Sequence, residues 1–175
     1  MKYFLKLKHW ELFLMIVLPT AITFTLRFNF TKHLIAALAL FVMIVLFAWL
    51  FSIGKWANTQ LPDHLKKSVI LYGLGLATPI LYLILVIILY FPVLESSTPP
   101  PPPAWMMPMH FLSMIGIFYG IWFSARQYMA LQKGHEVDFM IFSSTFLFMW
   151  IFPLGIWMIQ PGVNELFDKL ENSET

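Results

Sequence analysis

Residues 33–54 read HLIAALALFVMIVLFAWLFSIG, a stretch of 22 residues without Lys, Arg, Asp or Glu. A helix needs about 20 apolar residues to cross a hydrocarbon core of about 30 Å. A charge near the bilayer centre costs about 2.5–3.5 kcal/mol on insertion scales, so charged residues mark the ends of spans. The stretch therefore predicts a transmembrane helix over 34–54.

Four further windows lack charged residues, at 12–26, 68–94, 96–125 and 139–164. We therefore predict an all-α fold, a polytopic transmembrane helix bundle with spans near 10–28, 34–54, 69–92, 105–126 and 139–159. These spans form a single domain over 1–160, and a short polar tail follows at 161–175. The alternative is four spans with a re-entrant or interfacial segment in place of the fifth.

The composition excludes most soluble classes. Of 175 residues, 59% are hydrophobic and 11% are charged, whereas soluble domains have about 45–50% and about 25%. The net charge of +2 is scattered, and nucleic-acid binding requires a concentrated basic face. Because the chain has no cysteine, disulfides, thiolate nucleophiles and cysteine-ligated metals are excluded.

The distribution of Lys and Arg predicts an orientation. With five spans, eight of the eleven basic residues fall on the side of the N-terminus and three on the other side. Cytoplasmic loops carry the excess of basic residues. We therefore expect a multi-pass protein of a cell membrane, a bacterial inner membrane, with its N-terminus cytoplasmic and its C-terminus outside. Trp157 is then expected at the outer interface, where indole rings are favoured.

Small residues predict where helices pack closely. Gly116 and Gly120 form a GxxxG pair in the fourth span, and Ser124 extends it at the same spacing. Residues four apart share a helix face, so backbones can approach there. Gly73 and Gly75 in the third span could form the opposing surface. The seam is either internal to the chain or the interface of a homodimer.

Proline and glycine mark kinks and a helix end. Pro19, Pro79 and Pro153 lie within the predicted spans, and each removes a backbone donor and favours a kink. These kinks are either static or hinges. Gly134 follows the polar end of the fourth helix and predicts its C-cap.

The five histidines do not form a motif with fixed spacing. His9, His64 and His135 lie in three segments on the predicted cytoplasmic side, and His33 and His110 lie near the outer face. Zinc and iron sites need a closed set of ligands, and only folding could unite these. We therefore predict no catalytic residue, no cofactor and no metal site.

Three functional hypotheses remain open. The first is a non-enzymatic accessory or scaffold subunit, which fits packing motifs without a catalytic constellation. The second is a small transporter or channel component, since in-span prolines with nearby Thr and Ser can line a discontinuous-helix site. The third is a membrane enzyme acting on lipid headgroups. The expected partners are the lipid bilayer and either another membrane protein or a second copy of the chain, with no nucleic acid.

The closing stretch FPLGIWMIQPGVN at 152–164 resembles the closing motif FP(L/I)G(I/V)WxIQP of a group of uncharacterised small polytopic bacterial inner-membrane proteins. LKLKHW at 5–10, LPD at 61–63 and HFLSM at 110–114 belong to the same resemblance. It implies a polytopic fold and no known activity. Members of the group carry a basic residue where Gly162 stands, with more positive charge behind it, which would hold their C-terminus in the cytoplasm.

Overall fold

The computed structural model describes residues 2–26, 32–90, 92 and 101–173. Within them it is built of helices and contains no strand, so the all-α prediction is confirmed there. The seven α-helices of this part of the chain are α1 (Lys2–Lys6), α2 (His9–Leu26), α3 (Lys32–Gln60), α4 (Val69–Leu85), α5 (Met106–Lys133), α6 (Phe139–Trp150) and α7 (Phe152–Ser173).

The first four predicted spans overlap α2, α3, α4 and α5, in that order. The last residues of the span predicted over 10–28 lie outside the described part of the chain. A π-helical turn, Val86–Tyr90, continues α4. Among the residues that the structure describes, three helical segments are long and apolar enough to cross a membrane: His33–Gln60, Asp63–Tyr90 and Met106–Lys133. His9–Ile22 and Phe139–Trp150 are shorter apolar helices.

Side chains and one glycine define several helix ends. Ser68 Oγ accepts a hydrogen bond from the Leu71 backbone N–H at the start of α4, over 3.4 Å. Asp138 does the same for Ile141 at the start of α6, over 3.1 Å. Both satisfy donors that have no partner within the first helical turn. Gly134 follows α5 with φ 76°, so the predicted C-cap is confirmed.

The long helices form a closed ring in the order α4, α3, α2, α7, α6, α5, and α3 also contacts α5 across the ring. The short α1 packs on α3 and α7. Near its C-terminal end α5 is buried almost all round, from Ile121 to Ala130. A helix that is surrounded in this way lies inside a bundle.

The helix expected over 139–159 is two helices. α6 ends at Trp150, and Ile151 leaves the helical conformation with φ −88° and ψ 65°. Pro153 contributes to the break, because it has no N–H to donate to the carbonyl four residues earlier, that of Met149, and so disfavours continuation of α6. Pro153 itself lies in the first turn of α7, where a missing N–H is tolerated. The stretch 161–175, expected as a polar tail, belongs to α7 as far as Ser173.

The two helices fold back on each other as a hairpin. Ile151 N–H donates to the Leu147 carbonyl over 2.9 Å, and the Ile151 carbonyl accepts from the backbone N–H groups of Leu154 and Gly155, each over 3.0 Å. A Cβ atom at position 155 would collide with the Phe148 carbonyl oxygen. Glycine at this position therefore lets the two helices approach closely.

The hairpin brings the C-terminal half of α7 to the end of the bundle that holds the N-terminus. The Trp157 ring contacts the His9 ring, with centroids 4.5 Å apart and planes tilted by 55°. The ring of Phe167 lies 5.5 Å from that of Trp56, near the end of α3. The turn between α6 and α7 lies near the middle of α5, where Trp150 contacts Phe118. Trp157, expected at the opposite end from His9, thus lies beside it.

Candidate functional site

The glycine seam joins α4 to α5. A Cβ atom at Gly116 would collide with the backbone carbonyl oxygen of Gly75, and a Cβ atom at Gly120 would collide with the Leu76 side chain. The two helices therefore meet backbone to backbone at Gly75 and Gly116. The structure brings these predicted residues together inside one chain.

Pro79 belongs to the same contact. Because proline has no N–H, it cannot donate to the carbonyl four residues earlier, which is that of Gly75. One Cα hydrogen of Gly116 points at this carbonyl, since a Cβ atom built there meets the oxygen. A Cα–H···O contact of this kind stabilises close helix pairs modestly. Pro79 and the two glycines thus form one packing unit.

Ser124 ends the seam in a buried hydrogen-bond cluster. Its Oγ lies 2.8 Å from Tyr72 Oη, and Tyr72 Oη donates to the Leu50 carbonyl over 2.5 Å. The Tyr72 ring is stacked between Phe123, 4.1 Å away, and Phe51, 5.3 Å away. The cluster links α3, α4 and α5 at one level of the bundle.

A polar layer lies one to two turns nearer the end of the bundle. Gln127, which is fully buried, donates from Nε2 to Asn58 Oδ1 over 2.6 Å. Asn58 Oδ1 accepts from the Lys67 backbone N–H over 2.8 Å, and Asn58 Nδ2 donates to the Lys67 carbonyl over 3.2 Å. The layer therefore fixes the connection between α3 and α4 to α5.

Arg126 closes this layer toward solvent. It is only 6% exposed, and it donates to Glu136 Oε1 over 2.6 Å and to Gln127 Oε1 over 3.3 Å. Its guanidinium also lies 5.9 Å from the centroid of the Trp122 ring. A buried charge is costly unless it is paired and hydrogen-bonded, and here it is both.

Two amides of α7 hold the N-terminal helix. Gln160 is fully buried; its Oε1 accepts from Trp49 Nε1 over 2.7 Å. Its Nε2 donates to the carbonyls of Phe4 and Leu7 over 3.0 and 2.8 Å. The carbonyls at the end of a helix have no partner within the helix, so this amide satisfies groups at the end of α1.

Asn164, one turn further along α7, completes the attachment. Its Nδ2 donates to the carbonyls of Leu5 and Leu7 over 2.6 and 3.1 Å. Gln160 and Asn164 therefore share one face of α7. Together they join the two ends of the chain.

An ion pair at the surface also joins α1 to α7. Glu171 accepts from Lys6 Nζ over 2.8 Å and from Lys2 Nζ over 3.3 Å. The hydrogen bond from Lys6 holds the pKa of Glu171 below its ordinary value of 4.5, and the same bond raises the pKa of Lys6. The contribution of the pair to stability is thus present at neutral pH and is lost as the pH falls through the lowered pKa of Glu171.

Two further positions, predicted for packing and for a kink, lie outside the glycine seam: Gly73 and Pro19. Gly73 faces α3, where a Cβ atom would meet only the Phe51 ring, at 3.5 Å. Pro19 lies inside α2 and lines a small surface cavity with residues of α3.

The histidines are separate in the structure as well. His9 contacts the Trp157 ring, His64 lies in the 3₁₀ turn Asp63–Leu65, and His135 Nδ1 lies 2.7 Å from the Glu136 carbonyl. His110 lies 5.7 Å from the Tyr82 ring. Within the described ranges, no group of three or more His, Asp and Glu side chains could hold a metal ion.

Sequence reasoning did not identify Asn58, Gln127 or Gln160 as interior groups. Gln127 lies in the polar end of the fourth helix, as Gln132 does, yet Gln127 is buried and Gln132 is exposed. The available signal was the pair of amides Gln160 and Asn164, four residues apart at the end of the uncharged window 139–164. Comparison of the chain with protein-family models, with curated proteins and with solved structures finds no match in any of the three.

Proposed function

We propose that the chain is a polytopic protein of a bacterial inner membrane, where it acts as a non-enzymatic accessory or scaffold subunit. The observation that carries this proposal is the contrast between its interior and its outer surface. Within the described part of the chain, every buried side-chain nitrogen and oxygen has a hydrogen-bond partner. The outer faces of α4 and α6 expose large apolar side chains such as Ile70, Leu74 and Met140.

The satisfied polar interior and the exposed apolar surface both fit a static helix bundle in lipid. Exposed apolar patches this large are rare on soluble monomers, while lipid tails solvate them. A satisfied polar interior rigidifies a bundle and specifies one packing arrangement. Such an interior suits a protein that holds a partner in place better than one that opens a polar path.

The proposed topology has four crossings and one re-entrant hairpin. α2 to α5 are each about 25–44 Å long at 1.5 Å per residue, which matches a hydrocarbon core of about 30 Å. α6, with 12 residues, is only about 18 Å long. It enters the membrane partway, and α7 returns to the same side. The backbone hydrogen bonds at Ile151 support this, because irregular backbone is tolerated at membrane depth only where its polar groups are satisfied.

This topology revises the expected position of the C-terminus from outside to cytoplasmic. The basic residues support the revision. Three precede the first span, three follow the second, two follow the fourth and one lies in the tail, so nine of the eleven are cytoplasmic. The positive-inside rule is then obeyed more strongly than with five spans.

Affinity purification from the native membrane in a mild detergent tests the proposed function. We expect a second membrane protein to co-purify at a fixed stoichiometry through size-exclusion chromatography. The purified chain, reconstituted alone into vesicles, should give no more solute flux than empty vesicles. A lone oligomer that conducts solute would instead establish a transporter or channel, and one equivalent of bound metal per chain would establish the enzyme hypothesis.

A further inference from the structure

A cavity of about 200 Å³ lies between α1, α3 and α7, at the end of the bundle that holds both termini. Its apolar wall includes Leu5, Trp56 and Phe167, and its polar wall includes Ser52, Lys55 and Glu171. Drug-sized ligands occupy about 300–1,000 Å³, so this cavity suits a smaller group. One apolar and one polar wall favour an amphiphile.

The polar wall carries excess positive charge. Lys2 lines the cavity beside the carboxylate of Glu171, which also accepts from Lys6. Asp168 acts on Lys6 as well, so these two lysines face two carboxylates. Lys55 adds a positive charge that is not compensated, since within the described residues no carboxylate lies within 4.0 Å of it and its ammonium lies 5.8 Å from the centroid of the Phe51 ring. The excess positive charge beside the cavity attracts an anion.

Ser52 gives the cavity a hydrogen-bonding group as well. The residue lines the cavity, although it is only 3% exposed overall. A phosphate oxygen in the cavity would accept a hydrogen bond from the Ser52 hydroxyl and meet the lysine ammonium groups at the same time.

We propose that this cavity binds the phosphate headgroup of an anionic phospholipid of the cytoplasmic leaflet. The proposal rests on the proposed function, because it needs this end of the bundle to lie at the cytoplasmic interface. Basic pockets between membrane helices on that side bind anionic headgroups. The rings of Trp56 and Phe167 favour the lipid over free phosphate, since they can pack against the glycerol and first acyl carbons.

Titration of the full-length protein in mild detergent with short-chain phosphatidylglycerol, followed by native mass spectrometry, tests the proposal. Phosphatidylglycerol should bind more tightly than short-chain phosphatidylcholine. Lys55→Gln should weaken phosphatidylglycerol binding about fivefold. Ser52→Ala, which changes no charge, should weaken it as well. Lys133→Gln, an equal charge change at the same end of the bundle but away from the cavity, should leave it unchanged.

Two results would overturn the proposal. Equal weakening by Lys55→Gln and Lys133→Gln would show non-specific attraction to surface charge. Displacement of the lipid by millimolar inorganic phosphate would show a site for free phosphate. Either result can occur in a chain that still needs detergent for extraction and co-purifies with its partner, so failure here is distinguishable from failure of the proposed function.

Discussion

Gly116→Ala should unfold at a clearly lower temperature than the wild-type chain in the same detergent. The added Cβ atom meets the carbonyl oxygen of Gly75, which is backbone and cannot rotate away. Separating α4 from α5 enough to admit a methyl group costs about 1–3 kcal/mol, as overpacking generally does. Differential scanning fluorimetry and the yield of folded protein after size-exclusion chromatography measure the loss.

Gly73→Ala is the matched control, because it is the same substitution on α4. There the Cβ atom has ordinary van der Waals contact with the Phe51 ring, at 3.5 Å. Alanine favours a helix over glycine by up to about 1 kcal/mol, so this variant should be as stable as wild type or more so. Equal stability of Gly116→Ala and Gly73→Ala would contradict the seam. A Gly116→Ala chain that stays folded but changes from dimer to monomer would establish a homodimer interface instead.

Gln160→Ala should be at least as destabilising. It removes the acceptor of Trp49 Nε1 and the donor to two carbonyls at the end of α1. Each buried group left without a partner costs about 1–3 kcal/mol. Beyond the loss of thermal stability, we expect α1 to detach, so that trypsin cleaves after Lys6 and Lys8 faster than in the wild-type protein.

Gln132→Ala is the control for this variant, since Gln132 is an exposed glutamine in a helix. It should change neither the unfolding temperature nor the rate of cleavage at the N-terminus. If Gln160→Ala behaves like Gln132→Ala, the amide does not hold α1 to α7 and the association of the two chain ends must have another cause.

Charge spacing was sufficient to predict the positions of α2 to α5, because the cost of a charge in lipid restricts charged residues to helix ends. The same argument could not separate α6 from α7. Their window, 139–164, contains no charge from end to end and is long enough for one span. The helix ends there for a local reason, Pro153, and returns for a tertiary one, the close approach of Gly155 to the Phe148 carbonyl.

The interior polar groups were beyond sequence reasoning for a different reason. Asn58 and Gln127 are 69 residues apart and are hydrogen-bonded partners only after α3 and α5 pack. Nothing in the spacing of either residue distinguishes a buried amide from one at a wet helix end. By contrast, the spacing of Gly116 and Gly120 within one helix was visible, and Gly75 was a candidate for the opposing surface. The structure was needed to show that Gly116 meets Gly75 within one chain.

The side of the membrane on which α7 ends distinguishes a re-entrant hairpin from a fifth crossing. The chain has no cysteine, so single cysteines can be introduced without a background and labelled in intact cells with a membrane-impermeant maleimide. We expect Asn172→Cys to be labelled only after the membrane is permeabilised, and Ser97→Cys, between α4 and α5, to be labelled from outside. Labelling of Asn172→Cys in intact cells would show that the segment from α6 to α7 crosses the membrane, and would contradict the re-entrant hairpin.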